Sequence, residues 1–268
     1  MNETLTRALS GAVYILLLLT CLFYSNTTFH ILFGLFLAMA VLEFCKLVKL
    51  HFLAPLLFAL TAYIGIDKQT FNPIWDVVLT LISVIVCLYL LVFLFSKKER
   101  QFHLLEKWIY VIGYIILPFI IITKIPIGIA GYNPKILIGI FILIWTNDTF
   151  AYLVGKNFGK HKLFERISPK KTIEGFFGGF IFTLIASILL AKYFIETSNI
   201  SIWIGIAILV SIFATLGDLV QSKFKRIAKV KDSGKIMPGH GGVLDRLDSI
   251  IFVSPFIFLF YQILNYVS

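Results

Sequence analysis

Charge is scarce in this sequence. Only 14% of its 268 residues are Asp, Glu, Lys or Arg, and 59% are hydrophobic, where soluble domains carry about 25% charged residues. A chain this long has too little interior to hide so much apolar surface, so a water-soluble domain is excluded. Acids are the scarcer sign: 14 Asp and Glu face 24 Lys and Arg, a formal charge of +10. Cysteine is down to Cys21, Cys45 and Cys87, all in or beside apolar stretches and without metal-ligand spacing. That excludes a disulfide framework and leaves them as small hydrophobic residues. No repeat of 20–50 residues and no low-complexity segment is visible. Aromatic residues are plentiful, with 27 Phe, 11 Tyr and 4 Trp, the opposite of a disordered composition. With a mean hydropathy of +0.93, the chain reads as a membrane protein with several spans.

A bilayer core of about 30 Å takes roughly 20 apolar residues per helix. Such stretches lie near 8–25, 29–45, 52–66, 76–96, 108–123, 136–155, 173–195, 201–220 and 249–267. The third is short and contains Pro55. Arg7 ahead of the first run has the look of a signal peptide, but no small-x-small cleavage site follows, so a mature helix is expected. The expected fold class is an all-α polytopic membrane protein of about nine transmembrane helices. With the N-terminus inside, the inside segments are 1–7, 46–51, 97–107, 156–172 and 221–248. They hold twenty of the 24 Lys and Arg, and only Lys68, Lys124, Lys135 and Lys192 fall outside. The positive-inside bias therefore expects a cytoplasmic N-terminus and a C-terminus on the opposite face. Residues 1–134, spans one to five, are expected to be a lipid-facing scaffold. Residues 135–268, spans six to nine with loops 156–172 and 221–248, are expected to be the catalytic region.

Polar residues inside apolar helices are costly and are either paired or functional. Glu43, near the cytoplasmic end of the second span, fits a paired structural carboxylate and a site component equally well. Asn147 and Asp148 lie one to two turns from the cytoplasmic end of the sixth span, and Asp218 holds the corresponding place in the eighth. In loop 156–172, Ser168-Pro-Lys-Lys-Thr172 leads into the seventh helix. By itself this is a capped, positive-inside loop, yet a hydroxyl, two lysines and free helix-start amides also describe a phosphate-binding surface. Loop 221–248 is richer. Ser222, Lys225, Arg226 and Lys231 offer donors to phosphates. Pro238-Gly-His-Gly-Gly242 cannot be a helix interior, and its glycines let backbone amides approach a ligand. Asp245 and Asp248 share a face if a helix starts there, and hard oxygen ligands suit Mg²⁺, which takes one or two carboxylates plus substrate phosphates. Together these residues point to a metal-assisted reaction on a phosphate compound at the cytoplasmic mouth of a helix bundle.

At these positions the sequence resembles the phosphatidate cytidylyltransferase (CDP-diacylglycerol synthase) family. The resemblance is carried by Ser222, Phe224, Lys225, Arg226, Lys231, Asp232, Gly234, Pro238, His240, Gly241, Gly242, Asp245, Arg246 and Asp248. Met237 replaces the family's usual Leu or Ile, a swap that keeps apolar volume. The resemblance extends upstream through Asp148–Tyr152, Gly159–Lys162 and Ile167–Gly175, covering roughly the C-terminal half. The N-terminal spans match only in general character, apart from Arg7, Ser10-Gly11 and Glu43-Phe44. It implies a Mg²⁺-dependent reaction of CTP with phosphatidate, giving CDP-diacylglycerol and pyrophosphate, with a second cation left open. Asp218 and Asp245 are the expected metal ligands, with Asp248 and Asp148 as second choices. Ser168, Lys171, Ser222, Lys225, Arg226 and Lys231 are expected around the phosphates, His240, Gly241 and Gly242 around the nucleotide, and Arg246 in substrate binding.

The same resemblance implies a multi-pass protein of the cell membrane, with membrane lipids around it, its site facing the cytoplasm, and a homodimer as a family-level expectation. A cytidylyltransferase acting on an isoprenoid lipid phosphate fits the same motifs, because lipid-tail preference leaves none. An ion-coupled transporter fits less well, since its acids belong near the bilayer midplane in related halves. A CDP-alcohol phosphatidyltransferase would carry an Asp-Gly-x-x-Ala-Arg run, which does not occur here. The basic charge reads as topology combined with phosphate binding, and nothing in it requires nucleic acid.

Overall fold

A computed structural model describes residues 3–68, 73–97, 102–128, 131–237, 239 and 241–264. Within these residues the chain forms nine helices: α1 Glu3–Tyr24, α2 Asn26–Val48, α3 Leu53–Lys68, α4 Pro73–Phe95, α5 Leu104–Lys124, α6 Pro134–Phe158, α7 Ile173–Ile195, α8 Ile200–Ile227 and α9 Leu244–Ile263. Among the described residues seven helices are long and apolar enough to cross a membrane, while α1 and α3 contribute shorter apolar segments, Leu9–Tyr24 and Leu53–Gly65. The all-α polytopic membrane fold expected from composition is the fold observed. Two small antiparallel ribbons join it: β1 Ile127–Gly128 pairs with β2 Gly131–Tyr132, and β3 Lys162–Phe164 with β4 Ser168–Thr172.

Helix starts follow local chemistry. Ser25 caps α2, its Oγ accepting from Thr28 N at 3.1 Å. Asn133 caps α6, with Pro134 in the first turn, where its missing N–H costs nothing. Thr172 ends β4 and caps α7, its Oγ1 accepting from Gly175 N at 3.1 Å. In both basic loops the expected boundaries shift. Residues 156–158 complete α6, and much of the rest of 156–172 folds as the β3–β4 ribbon. Residues 221–227 complete α8 and 244–248 open α9, so among the described residues the irregular part shrinks to 228–237, 239 and 241–243. The helices run past the apolar stretches because helix geometry continues into water wherever the backbone partners persist.

Beyond its charged first turns helix α9 is almost wholly apolar, and it buries Leu244, Leu247, Ile250, Ile251, Phe252 and Ile257, as a helix at the centre of a bundle must. It packs against α2, α4, α5 and α8. Beside it, the Phe224 ring from α8 meets Phe44 of α2 and Phe93 of α4 at centroid distances of 5.1 and 5.3 Å. Lys223 is buried next to this cluster. Its Nζ donates to the carbonyls of Phe93 and of Ser96 (2.8 Å), closing the C-terminal end of α4. Helices α6 and α7 approach closely through glycine. A Cβ on Gly179 would stand 2.7 Å from the Asn147 carbonyl oxygen, and one on Gly178 would strike Val154, the small-residue contact typical of helices in lipid. Large apolar side chains such as Leu16, Ile85, Val92, Phe177 and Ile181 stay on the outside, where a bilayer rather than water accommodates them.

Candidate active site

Three helix ends and a strand converge. The C-terminal parts of α6 and α8 bring Asn147, Asp148, Thr215, Asp218 and Lys225 to the place where β4 and the start of α9 bring Ser168, Lys171, Asp245, Arg246, Asp248 and Ser249. These residues, with Lys162, Lys170 and Asp232, line a cavity of about 790 Å³. Acids and lysines are interleaved in it. Lys171 Nζ lies 2.6 Å from Asp218 Oδ2, and Lys225 Nζ lies 2.7 Å from Asp245 Oδ1. Burial works against the charge on Lys171, but the neighbouring Asp218 carboxylate outweighs it and holds the ammonium above the ordinary lysine range.

Each acid is held by its own surroundings. Ser222, one turn beyond Asp218, donates its hydroxyl to Asp218 Oδ1 at 3.2 Å. Asp245 Oδ2 accepts from Ser233 N (2.7 Å), Ser233 Oγ (2.9 Å) and Gly242 N (3.0 Å). Asp248 is buried and accepts from Ser249 N at 2.8 Å. Among the described residues no three His, Cys, Asp or Glu side chains gather as a ready-made metal cage. The available hard oxygen donors are instead spread around one polar cavity.

A second cavity of about 220 Å³ adjoins the first. It shares Asp148, Asp245, Arg246, Asp248 and Ser249 with it, and its remaining wall is mostly apolar: Ile15 of α1, Phe141, Ile144 and Trp145 of α6, Met237, and Ile250 of α9, with Gly11 and Tyr14. Asp148, Asp245 and Asp248 thus stand between a chamber rich in lysine and a smaller one that has none.

The structure brings eight of the candidate residues together at the first cavity: Asp148, Ser168, Lys171, Asp218, Lys225, Asp245, Arg246 and Asp248. Others lie elsewhere. Ser222 stands behind Asp218, Arg226 is exposed and donates to the Val230 carbonyl at 3.4 Å, and Lys231 is exposed. His240 and Pro238 lie outside the described residues. Gly241 and Gly242 are folded against carboxylates. A Cβ on Gly241, whose φ is +89°, would sit 2.6 Å from Asp245 Oδ2, and one on Gly242 would run into Glu43. Sequence reasoning passed over Lys162, Thr215, Ser249 and Ser233. Lys162 belongs to the Gly159–Lys162 stretch, but lone Ser and Thr residues such as Thr215, Ser233 and Ser249 carry no signal of their own.

The fold and the cavity define a polytopic membrane protein that gathers acids and lysines at one end of its helix bundle. The chain matches the profile of the Cytidylyltransferase family over residues 5–264 and belongs to that family. Its curated relatives include proteins named phosphatidate cytidylyltransferase. Those of Staphylococcus aureus (strain COL) and Staphylococcus haemolyticus (strain JCSC1435) are each 54% identical over 117 residues, covering 43% of this chain and 44% of the relative. That of Staphylococcus epidermidis (strain ATCC 12228 / FDA PCI 1200) is 50% identical over 115 residues, with the same coverage. The chain thus spans less than half the length of the curated relatives it matches.

Proposed function

We propose that the protein condenses CTP with phosphatidate, releasing CDP-diacylglycerol and pyrophosphate, for phospholipid biosynthesis. The observation that carries this reading is the pair of cavities meeting at the acids. A triphosphate suits the chamber lined by Lys162, Lys170, Lys171 and Lys225, and a lipid phosphate with its glycerol suits the smaller one, where Ile15, Phe141, Ile144 and Trp145 stand beside the shared acids and Arg246. Membership of the cytidylyltransferase family and the names of the staphylococcal relatives support the same substrates.

In this reaction a phosphate oxygen of phosphatidate forms a bond to the α-phosphorus of CTP, and the bond from that phosphorus to the β-phosphate oxygen breaks. The nucleophile is already anionic at neutral pH, so the protein's task is to position the reactants and neutralise charge rather than to supply a strong base. Lys171, Lys225 and Arg246 hold phosphate oxygens, and Ser168 donates a hydroxyl. Asp218 and Asp245 would hold Mg²⁺, with Asp148 and Asp248 in the lining of the same cavity. Their all-oxygen donor set fits that ion, which takes few carboxylates and completes its shell with water and phosphates. When bound, it stabilises the charge on the reacting and leaving phosphates.

The same proposal includes nine crossings, α1 and α3 among them, in a cell membrane with the cavity on the cytoplasmic face. It rests on the twenty basic residues that then lie inside. The test is purified protein in detergent with labelled CTP, Mg²⁺ and either phosphatidate or an isoprenoid phosphate. A CDP-lipid formed from phosphatidate is expected. Product from the isoprenoid phosphate alone would reassign the lipid, and no product from either would sink the reaction.

A further inference from the structure

Glu43 belongs to α2, far in sequence from every residue that lines the larger cavity. Its carboxylate is nonetheless buried, at 2% exposure, and is surrounded by the segment that leads into α9. Val243 N donates to its Oε1 at 3.1 Å, Leu244 N to its Oε2 at 2.9 Å, and Ser233 Oγ to Oε2 at 3.0 Å. Val243, at the cap position of α9, has no side-chain acceptor for those amides. Glu43 satisfies them from another helix, as a capping side chain does locally.

Ser233 connects this clamp to the chemistry. Its hydroxyl is 3.0 Å from Glu43 Oε2 and 2.9 Å from Asp245 Oδ2, and its amide also donates to that Asp245 oxygen. The single hydroxyl proton of Ser233 is shared between the two acids, so the Ser233 and Gly242 amides are the full donors to Oδ2, which leaves Oδ1 as the oxygen beside Lys225. The intervening glycines make room for both acids: a Cβ on Gly234 or Gly242 would collide with the Glu43 carboxylate, and one on Gly241 with Asp245.

We propose that Glu43 is a positioning residue for the cation site: through Ser233 and the turn at 241–245 it fixes the direction in which Asp245 presents Oδ1. The affinity for a divalent cation is then set partly by α2, and the N-terminal half is more than a scaffold. This rests on Asp245 holding a cation, as proposed above. A carboxylate that only capped α9 would change stability and leave cation affinity alone, which separates the two roles.

The test is titration of Mn²⁺ alone into the purified chain in detergent, read from the spin-resonance signal of the free ion. Removing a group that holds a metal-binding side chain in place weakens metal binding by roughly 10- to 100-fold, and that loss is expected for Glu43→Gln and for Ser233→Ala. Because they interrupt one connection, the double variant should bind no more weakly than Glu43→Gln alone, and Glu43→Asp should recover part of the loss. If Glu43→Gln proves too unstable to purify, the shorter Glu43→Asp carries the test, with a smaller loss of Mn²⁺ affinity expected. Wild-type Mn²⁺ affinity in Ser233→Ala, or losses that simply add in the double variant, would overturn the proposal. Unchanged binding in Asp245→Asn would remove its premise. Mn²⁺ binding that responds to Glu43 in a protein that makes no CDP-lipid would uphold the positioning role while the proposed reaction fell.

Discussion

Lys225 and Asp245 form a 2.7 Å ion pair that ties the last turns of α8 to the first turn of α9, with side chains only 11% and 4% exposed. Removing one member of a pair this buried strands the other's charge, at a cost of about 3–5 kcal/mol for full burial. Asp245→Asn keeps the shape and removes the charge. It is expected to lower CDP-lipid formation at least about 100-fold while the protein still inserts in the membrane. Labelled-CTP incorporation beside a membrane-fraction immunoblot measures both.

Lys171 and Asp218 are a more open pair, 27% and 36% exposed. Exposed pairs contribute about 0–1 kcal/mol, so Lys171→Gln should melt close to wild type. Its loss should appear in the chemistry, as a KM for CTP raised about tenfold or more. A large fall in melting temperature with normal kinetics would show that Lys171 is structural.

Lys223→Met gives the opposite pattern. Lys223 is buried and donates to carbonyls at the end of α4, away from the cavity lining. Leaving those carbonyls without a donor costs about 1–3 kcal/mol. Melting temperature should drop, and KM for CTP should be unchanged at a temperature where the variant stays folded.

The smaller cavity offers a handle on the lipid. Gly11 on α1 lines it and does not line the larger one, so Gly11→Leu fills space on the lipid side only. The KM for phosphatidate is expected to rise severalfold with the KM for CTP unchanged. Equal effects on both would merge the two chambers into one substrate site.

Gly179→Ala tests the α6–α7 contact. The new methyl meets the Asn147 carbonyl oxygen, which belongs to backbone and cannot swing aside. Overpacking of this kind costs about 1–3 kcal/mol, and it displaces the turn that carries Asp148. Both melting temperature and turnover should fall.

Much of the site was legible in the sequence because membranes make polar residues conspicuous. Asp148 and Asp218 stand out in apolar runs, and Asp245 and Asp248 close a motif dense in Lys and Gly. Ser222 and Arg226 are written into the same motif but sit beside the cavity, since a helix turns neighbouring positions to different faces. Gly241 and Gly242 leave room for Asp245 and Glu43, a placement that depends on which side chain occupies the gap.

Composition and the spacing of apolar runs determined by themselves that the chain is an all-α polytopic membrane protein, because lipid admits backbone only when its own hydrogen bonds are closed within the helix. The clustering of charge determined which half carries the acids and lysines. Tertiary structure alone decided that Lys171 meets Asp218, that Lys225 meets Asp245, and that Glu43 closes on Ser233 and the start of α9 across 190 residues. Such pairings are set by how helices pack against one another, and sequence periodicity records which face of a helix is buried without naming the side chain that waits opposite.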